Sequence, residues 1–240
     1  MNILLLGYGK LGKIIGEIAE SRGHRITGKI NLENRQDLDQ INPEDVDAII
    51  EFSQPESAFE NIFWGLKRGI PVVSGTTGWL DQRAEVEKMT IESEGAFFYA
   101  SNFSIGVNIL FKVNAFLAKL MNETTEYNIA IEEIHHTEKK DAPSGTAITL
   151  AEGIIENLDS KDSWNLSGQS PDSEQTIPIT SKRIDPAPGT HIIKYSSDID
   201  TIELIHTAHS RKGFALGAVL VAEWIKEKKG VFSMDDFLSF

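Results

Sequence analysis

Met1-Asn2-Ile3-Leu4-Leu5-Leu6-Gly7-Tyr8-Gly9-Lys10-Leu11-Gly12 runs an apolar segment straight into Gly-x-Gly-x-x-Gly. Leu11, Ile14, Ile15, Ile18 and Ala19 then recur at the spacing of a helix with one buried face. Three glycines alone fit many loops. Between a buried strand and an amphipathic helix they match the dinucleotide fingerprint, in which one glycine makes the turn, one lets a pyrophosphate approach and one lets helix and strand pack. The spacing therefore predicts an α/β chain that opens with a Rossmann-type dinucleotide-binding domain.

A second strand is expected over residues 25–30, and its end is where such a domain reads the adenosine ribose. An acid there bonds the 2′-hydroxyl of NAD, and a base accepts the 2′-phosphate of NADP. Asn31 stands at that point, with Lys29 before it and Glu33 and Arg35 after it, so both coenzymes stay open. Further βα units are expected, with strands at 48–52, 72–74 and 97–99. Their ends, Phe52-Ser53-Gln54-Pro55, Gly75-Thr76-Thr77-Gly78 and Ala100-Ser101-Asn102-Phe103, fall on the carboxyl edge that also bears residues 7–12. Open α/β sheets bind ligands on that edge.

Chemistry enters at His135-His136-Thr137-Glu138-Lys139-Lys140-Asp141-Ala142-Pro143-Ser144-Gly145-Thr146-Ala147. Residues 127–134 read as a half-buried strand that ends in the two histidines. Asp141-Ala142-Pro143 turns the chain, Ser144 stands as an N-cap, and Ala147, Ile148, Leu150, Ala151, Ile154 and Ile155 follow at helical spacing. The N–H groups of Gly145 and Thr146 would sit at a helix N-terminus, where unpaired donors and the dipole attract a carboxylate or phosphate. A histidine at a strand end is ordinary, and so is a capped helix. Two histidines, a lysine and a Ser-Gly-Thr helix start within a dozen residues point to an enzyme. A metal centre is the weaker reading of Glu132, Glu133, His135 and His136: strand neighbours point to opposite faces and no His-Glu-x-x-His occurs, so no metal is expected.

The 240 residues carry 23 Lys plus Arg against 36 Asp plus Glu, a formal charge of −13. Nucleic acid needs a basic face, and none is evident. The absence of cysteine removes disulfides and thiol chemistry. The first apolar run ends at Gly7, short for a signal peptide, and no later segment approaches the roughly 20 apolar residues of a membrane span. A cytoplasmic chain without membrane contact is the expectation.

One large domain or two modest ones fit this length. Residues 160–178, dominated by Ser, Asp, Gln and Pro, read as a surface loop. Strand character follows at 176–181, 191–196 and 199–209, which with the strand before His135 would build a second sheet. Phe214, Leu216, Val219, Leu220, Ala222 and Trp224 then read as a helix returning to the first domain. The expected organisation is a dinucleotide-binding domain, residues 1–104 and 211–240, with an α+β domain, residues 105–210, inserted before its final helix.

With these motifs in place the chain closely resembles the 4-hydroxy-tetrahydrodipicolinate reductase (dihydrodipicolinate reductase) family along nearly its whole length. The likeness covers residues 7–12, 52–55, 75–78, 102–108, 135–147 and 231–236. His-His-x-x-Lys-x-Asp-Ala-Pro-Ser-Gly-Thr-Ala is highly specific to that family. The resemblance implies an oxidoreductase of lysine biosynthesis by the diaminopimelate route, which reduces 4-hydroxy-tetrahydrodipicolinate to tetrahydrodipicolinate with NADH or NADPH and loss of water. It implies that His135 donates a proton as hydride arrives, with Lys139 a second proton donor near the ring nitrogen. His136, Ser144, Gly145 and Thr146 are implied as binders of the substrate carboxylates. The implied cofactor contacts are Gly7, Tyr8, Gly9, Lys10, Leu11, Gly12, Phe52, Ser53, Gly75, Thr76, Thr77, Ala100, Ser101, Asn102, Phe103, Arg211 and Phe214. Residues 105–210 are implied to bind substrate and to build a homotetramer through their sheet. Lys140 replaces a residue that is apolar in many members, and residues 183–191 replace a more Gly-rich turn of the longer ones.

A dicarboxylate approaching a chain of charge −13 meets long-range repulsion, but screening over roughly 8 Å leaves the local site to decide. Charge-assisted hydrogen bonds at roughly 1.5–3 kcal/mol each, with a helix terminus worth up to about 2 kcal/mol, outweigh it. Other readings stay open beside this one: another nicotinamide enzyme of similar layout, such as an imine or amino-acid dehydrogenase, and a dinucleotide-sensing module without turnover. An intact His135 and Lys139 argue against the second. A hydrolase using Ser144 lacks the Gly-x-Ser-x-Gly context, and a cap explains that residue better.

Overall fold

A computed structural model describes residues 1–124, 126–168 and 173–240. The chain divides into two units, Met1–Ile105 with Arg211–Phe240, and Gly106–Ser210.

In the first unit, β1 (Asn2–Leu6) is buried from Ile3 to Leu6, as a continuous apolar run must be when both faces of a parallel sheet are covered. Next come α1 (Lys10–Ser21), β2 (Arg25–Ile30), β3 (Ala48–Glu51), α2 (Pro55–Leu66), β4 (Val72–Ser74), α3 (Arg83–Glu92) and β5 (Ala96–Tyr99). The chain enters the second unit through α4 (Ile105–Leu120), a helix the sequence reading did not single out. There it forms β6 (Asn128–His135), α5 (Gly145–Ile155), β7 (Ser163–Leu166), β8 (Thr176–Arg183), β9 (Gly189–Ser196) and β10 (Thr201–Ala208). It then returns as α6 (Lys212–Ile225), β11 (Gly230–Phe232) and α7 (Met234–Leu238).

The first sheet has the order β11-β5-β4-β3-β1-β2 with every pair parallel, the Rossmann-type arrangement expected from residues 1–12. Ile15 and Ala19 of α1 share a core with Ala215, Ala218 and Ala222 of α6. Helix α6 also passes close to the loop after β5, since a Cβ on Gly217 would stand 1.8 Å from the carbonyl oxygen of Phe103. The helix that follows the inserted segment, α6, is not the final one of the first unit, contrary to the sequence reading, because β11 and α7 come after it. β11 adds a strand beside β5, and Phe237 and Leu238 of α7 complete the apolar cluster.

The second sheet runs β10-β9-β6-β8-β7, antiparallel across β10, β9 and β6 and parallel across β6, β8 and β7. Ile129 and Ile131 of β6, with Ile177, Ile179, Ile193 and Tyr195 of neighbouring strands, pack on Leu150, Ala151 and Ile154 of α5. The strict alternation of β6 places Glu133 and His135 on this same buried face. Residues 160–178 are not all loop: Ser163–Leu166 pairs in parallel with β8, and Trp164 packs against the core. Four residues are too few for alternation to announce a strand. The part of that stretch at 169–172 lies outside the described residues. Among the described residues no helix is long and apolar enough to cross a membrane.

Candidate active site

In the first unit the fingerprint glycines do what their spacing required. Gly7 adopts φ +95°, and a Cβ there would stand 2.0 Å from the carbonyl oxygen of Phe52. A Cβ on Gly12 would come 2.1 Å from the Gly7 oxygen, which is the tight packing of helix on strand, whereas one on Gly9 would meet nothing within 4 Å. A cavity of about 350 Å³ opens beside Gly7 and Gly9 and is bounded also by Asn31, Arg35, Phe52 and Ser53. The Tyr8 N–H donates to Asn31 Oδ1 at 2.6 Å, and the Asn31 N–H donates to Asn34 Oδ1 at 2.7 Å, so Asn31 shapes the wall rather than offering a free acid. Glu33 and Arg35 also line the cavity, and Arg35 donates to Asn61. Lys29 does not line it, its ammonium lying 5.0 Å from the centre of the Tyr8 ring and 3.7 Å from Glu20.

Beneath the loops that follow β3 and β4 lies Glu51, a fully buried residue the sequence reading passed over. Its Oε2 accepts from Ser74 Oγ at 2.7 Å, and its Oε1 accepts from Thr76 Oγ1 at 3.0 Å, from the Ser53 N–H at 3.1 Å and from the Ser53 hydroxyl. One carboxylate thus ties together the loops bearing Phe52, Ser53, Gly75, Thr76 and Thr77. The Phe103 ring packs 5.3 Å from that of Phe52. Leu11 turns toward the core. Lys10 opens α1, Ala100, Ser101 and Asn102 follow β5, and Arg211 and Phe214 begin α6.

In the second unit, Ser144 caps α5 as expected, its Oγ accepting from the Ala147 N–H at 3.2 Å. Gly145 and Thr146 form the first turn, and a Cβ on Gly145 would meet nothing within 4 Å. His135 is 7% exposed, and the backbone of Gly189 passes so close that a Cβ there would stand 3.1 Å from His135 Nε2. Lys139 donates to both oxygens of Asp141 at 2.8 Å, while Lys140 is exposed. The loop carrying them is pinned from β8 and the turn after it. Arg183 donates to the carbonyl oxygens of Asp141 at 2.6 Å and Lys139 at 3.3 Å, and Asp185 accepts from the Thr137 N–H and hydroxyl at 3.0 and 2.6 Å.

Glu133, 0% exposed, sits at the centre of this arrangement. Its Oε1 accepts from the Ser144 N–H at 3.1 Å, from Ser181 Oγ at 2.7 Å and from Arg183 Nη2 at 3.1 Å. Its Oε2 lies 3.2 Å from His135 Nδ1 and 3.9 Å from His191 Nε2, without an aligned hydrogen bond. Burial alone would push the Glu133 carboxyl up; contacts from His135, Ser144 and Ser181 more than reverse this and hold it well below the usual carboxylate range.

Glu133, His135 and His191 bring three ligand-type atoms within 4.8 Å of one another. Sequence spacing joined Glu133 to His135 but could not supply His191, which arrives from β9. The two-histidine, one-carboxylate set resembles a divalent-ion site in composition. The Arg183 guanidinium already faces that carboxylate, so a further dication would add buried charge without a second anion. Nor is Ser144 a nucleophile: His191 Nε2 lies 3.2 Å from Ser144 Oγ and faces Glu133 with the same nitrogen, so no relay runs through opposite ring atoms.

Burial, with His135 adding to it, pushes the His191 imidazole down to about 4 from an ordinary 6.5. Between those values the unfolded chain binds a proton that the folded chain does not, so stability should fall as pH drops through this window, by about 3 kcal/mol in all. Glu133 adds to acid sensitivity only below its ordinary 4.5. Urea denaturation at pH 7 and pH 4.5 should show the loss, and His191→Asn should flatten it. An unchanged pH slope in that variant would contradict the assignment.

The second unit thus links a capped helix start, an imidazole and a lysine-bearing loop through Glu133 and Arg183, in a chain whose first unit has a cavity beside its fingerprint glycines. Family comparison agrees with that layout. Residues 1–103 match the model described as dihydrodipicolinate reductase, N-terminus, and residues 106–238 match that described as dihydrodipicolinate reductase, C-terminus. The 4-hydroxy-tetrahydrodipicolinate reductase of Christiangramia forsetii is 49% identical over 100% of this chain and 98% of its own length. That of Magnetococcus marinus is 35% identical over 98% of this chain and 82% of its own. Among solved structures, a dipicolinate-bound dihydrodipicolinate reductase from Paenisporosarcina sp. TG-14 aligns with a TM-score of 0.76 at 22% identity, covering 97% of each chain, a likeness of fold. With both halves matched and the first relative alike from end to end, the chain belongs to the dihydrodipicolinate reductase family.

Proposed function

We propose that this chain reduces 4-hydroxy-tetrahydrodipicolinate to tetrahydrodipicolinate with NADH or NADPH and loss of water, in the diaminopimelate route to lysine. The observation that carries this reading is the meeting of His135 and the Ser144 helix start on one buried carboxylate, Glu133. A proton donor and an anion site are thereby built into one rigid group. His135 gives a proton to the substrate, and Lys139, released from Asp141, is the second donor near the ring nitrogen. His136, Ser144, Gly145 and Thr146 bind the carboxylates, where N–H groups at a helix start favour negative charge. The nicotinamide, when bound, supplies the hydride. The loops tied by Glu51 and the cavity beside Gly7 and Gly9 fit the dinucleotide, with Tyr8, Lys10, Leu11, Gly12, Ala100, Ser101, Asn102, Phe103, Arg211 and Phe214 completing its contacts.

Residues 105–210 form the substrate and assembly domain. The face of its sheet turned away from α5 carries Ile134, Ile192 and the 56%-exposed Ile205. Lys182 pairs with Glu132 at 2.7 Å on that face. It supports a homotetramer built sheet to sheet, and the working place of the enzyme is the cytoplasm.

The test is a coupled assay with aspartate semialdehyde, pyruvate and the preceding synthase, following NADH and NADPH oxidation in parallel. Both should support turnover within about tenfold of each other, a difference of about 1.4 kcal/mol, because Asn31 neither repels a 2′-phosphate nor acts as an acid toward the hydroxyl. A preference beyond a hundredfold would mean that Glu33 or Arg35 controls the pocket, and turnover of keto acids with ammonia instead would select the dehydrogenase reading.

Pyridine-2,6-dicarboxylate should inhibit competitively through the start of α5. Gly145→Val should weaken that inhibition at least tenfold, by obstructing approach to the first-turn N–H groups. The variant has room to fold, since no atom crowds a Cβ at 145. Unchanged inhibition would remove the anion site from the reading.

A further inference from the structure

We infer that Glu133 is a positioning residue for proton delivery, holding the proton of His135 Nδ1 so that Nε2 is the nitrogen that gives its proton to the substrate. This rests on the proposed role of His135. Oε1 is fully engaged by the Ser144 N–H, Ser181 Oγ and Arg183 Nη2, so Oε2 alone faces the imidazoles, 3.2 Å from His135 Nδ1. Catalytic hydrogen bonds are often poorly aligned before substrate binds and tighten in the complex. A buried carboxylate opposite Nδ1 fixes a tautomer and stabilises the imidazolium, as the acid of a Ser-His-Asp site does.

The same carboxylate reaches two other working segments. Through the Ser144 N–H it anchors the helix start, and through Arg183 it is linked to the backbone of Lys139 and Asp141. Proton donor, anion site and lysine loop therefore share one reference point. On transfer the Nε2–H bond breaks, the proton passes to the substrate carbon skeleton as the hydride reaches it, and the electron pair stays on Nε2. His135 is left neutral, with Nδ1–H toward Glu133, and solvent restores the lost proton.

Glu133→Gln separates charge from shape. Three donors converge where Oε1 stands, so the amide oxygen takes that place and the NH₂ faces His135 Nδ1. A donor there requires Nδ1 to be bare, which removes the imidazolium. The variant should lose at least tenfold in kcat, the lower range for a general acid, with cofactor affinity unchanged. In a His135→Ala background the same substitution should cost less than about threefold, because coupled residues are not additive. A similar loss in both backgrounds, or none in the parent, would overturn the inference. Full activity in His135→Ala alone would instead remove the proposed role of His135. Should Glu133→Gln fail to fold, nitrogen NMR of the parent imidazole decides: a protonated Nδ1 agrees, and a bare Nδ1 refutes.

Discussion

Lys139→Ala should lose roughly 10²-fold or more in kcat while keeping its affinity for the coenzyme, and Lys140→Ala should stay within about tenfold of the parent. The two residues are neighbours of like charge, so composition cannot separate them; geometry does. Lys139 Nζ is held at 2.8 Å by both oxygens of Asp141, and its carbonyl oxygen accepts from Arg183 at 3.3 Å. Its ammonium is therefore kept in place before substrate arrives. Lys140 is exposed, and its removal alters only a screened local field. Initial rates over a range of substrate, with coenzyme binding followed separately by fluorescence, distinguish the cases. A larger loss for Lys140→Ala would shift the motif by one residue and take the role of His135 with it.

Gly217→Ala should destabilise the first unit by about 3 kcal/mol or more, lowering its melting temperature by roughly 6–12 °C. Alanine is the better helix former, so propensity alone predicts the opposite sign. The added methyl would stand 1.8 Å from the Phe103 carbonyl oxygen and 2.9 Å from its carbon. Backbone atoms cannot rotate aside as a side-chain tip does, so α6 or the loop after β5 must move. Gly213→Ala is the control in the same helix: its Cβ would meet only Ser104 Oγ, at 3.9 Å, and propensity should then stabilise or leave stability unchanged. Calorimetry on both variants checks the pair, and equal melting temperatures would show that the contact is relieved at little cost.

Features that repeat at short range could be read in the sequence. The strand at residues 25–30, the strand at 72–74 and the Ser144 cap stand where local spacing put them, because each depends on residues within one turn or one alternation. His135 and the start of α5 could be named for the same reason. Glu133, Glu51, His191 and Arg183 could not. Their meaning comes from partners 48, 23, 47 and 42 positions away, and no periodicity records which strand will lie beside which. Glu133 left one trace, its two-residue offset from His135 on a strand, which placed both on one face. Helix α4 was hidden for another reason: Phe116, 64% exposed, and Ile109, at 45%, add apolar residues to its open side and blur the stripe.

The division of the first unit between Met1–Ile105 and Arg211–Phe240 has a consequence in time. A ribosome adds about 5–20 residues per second, so the stretch of about 190 residues between α1 and α6, more than half of it the second unit, separates their emergence by about 10–40 s. During that interval Ile15 and Ala19, which α6 covers in the finished fold, have no partner helix. The second unit, continuous in the chain, can complete its own sheet first. Synthesis thus orders the assembly from the inserted unit outward, and the N-terminal strands wait as a nascent, partly apolar surface of the kind that chaperones hold until the last helix leaves the tunnel.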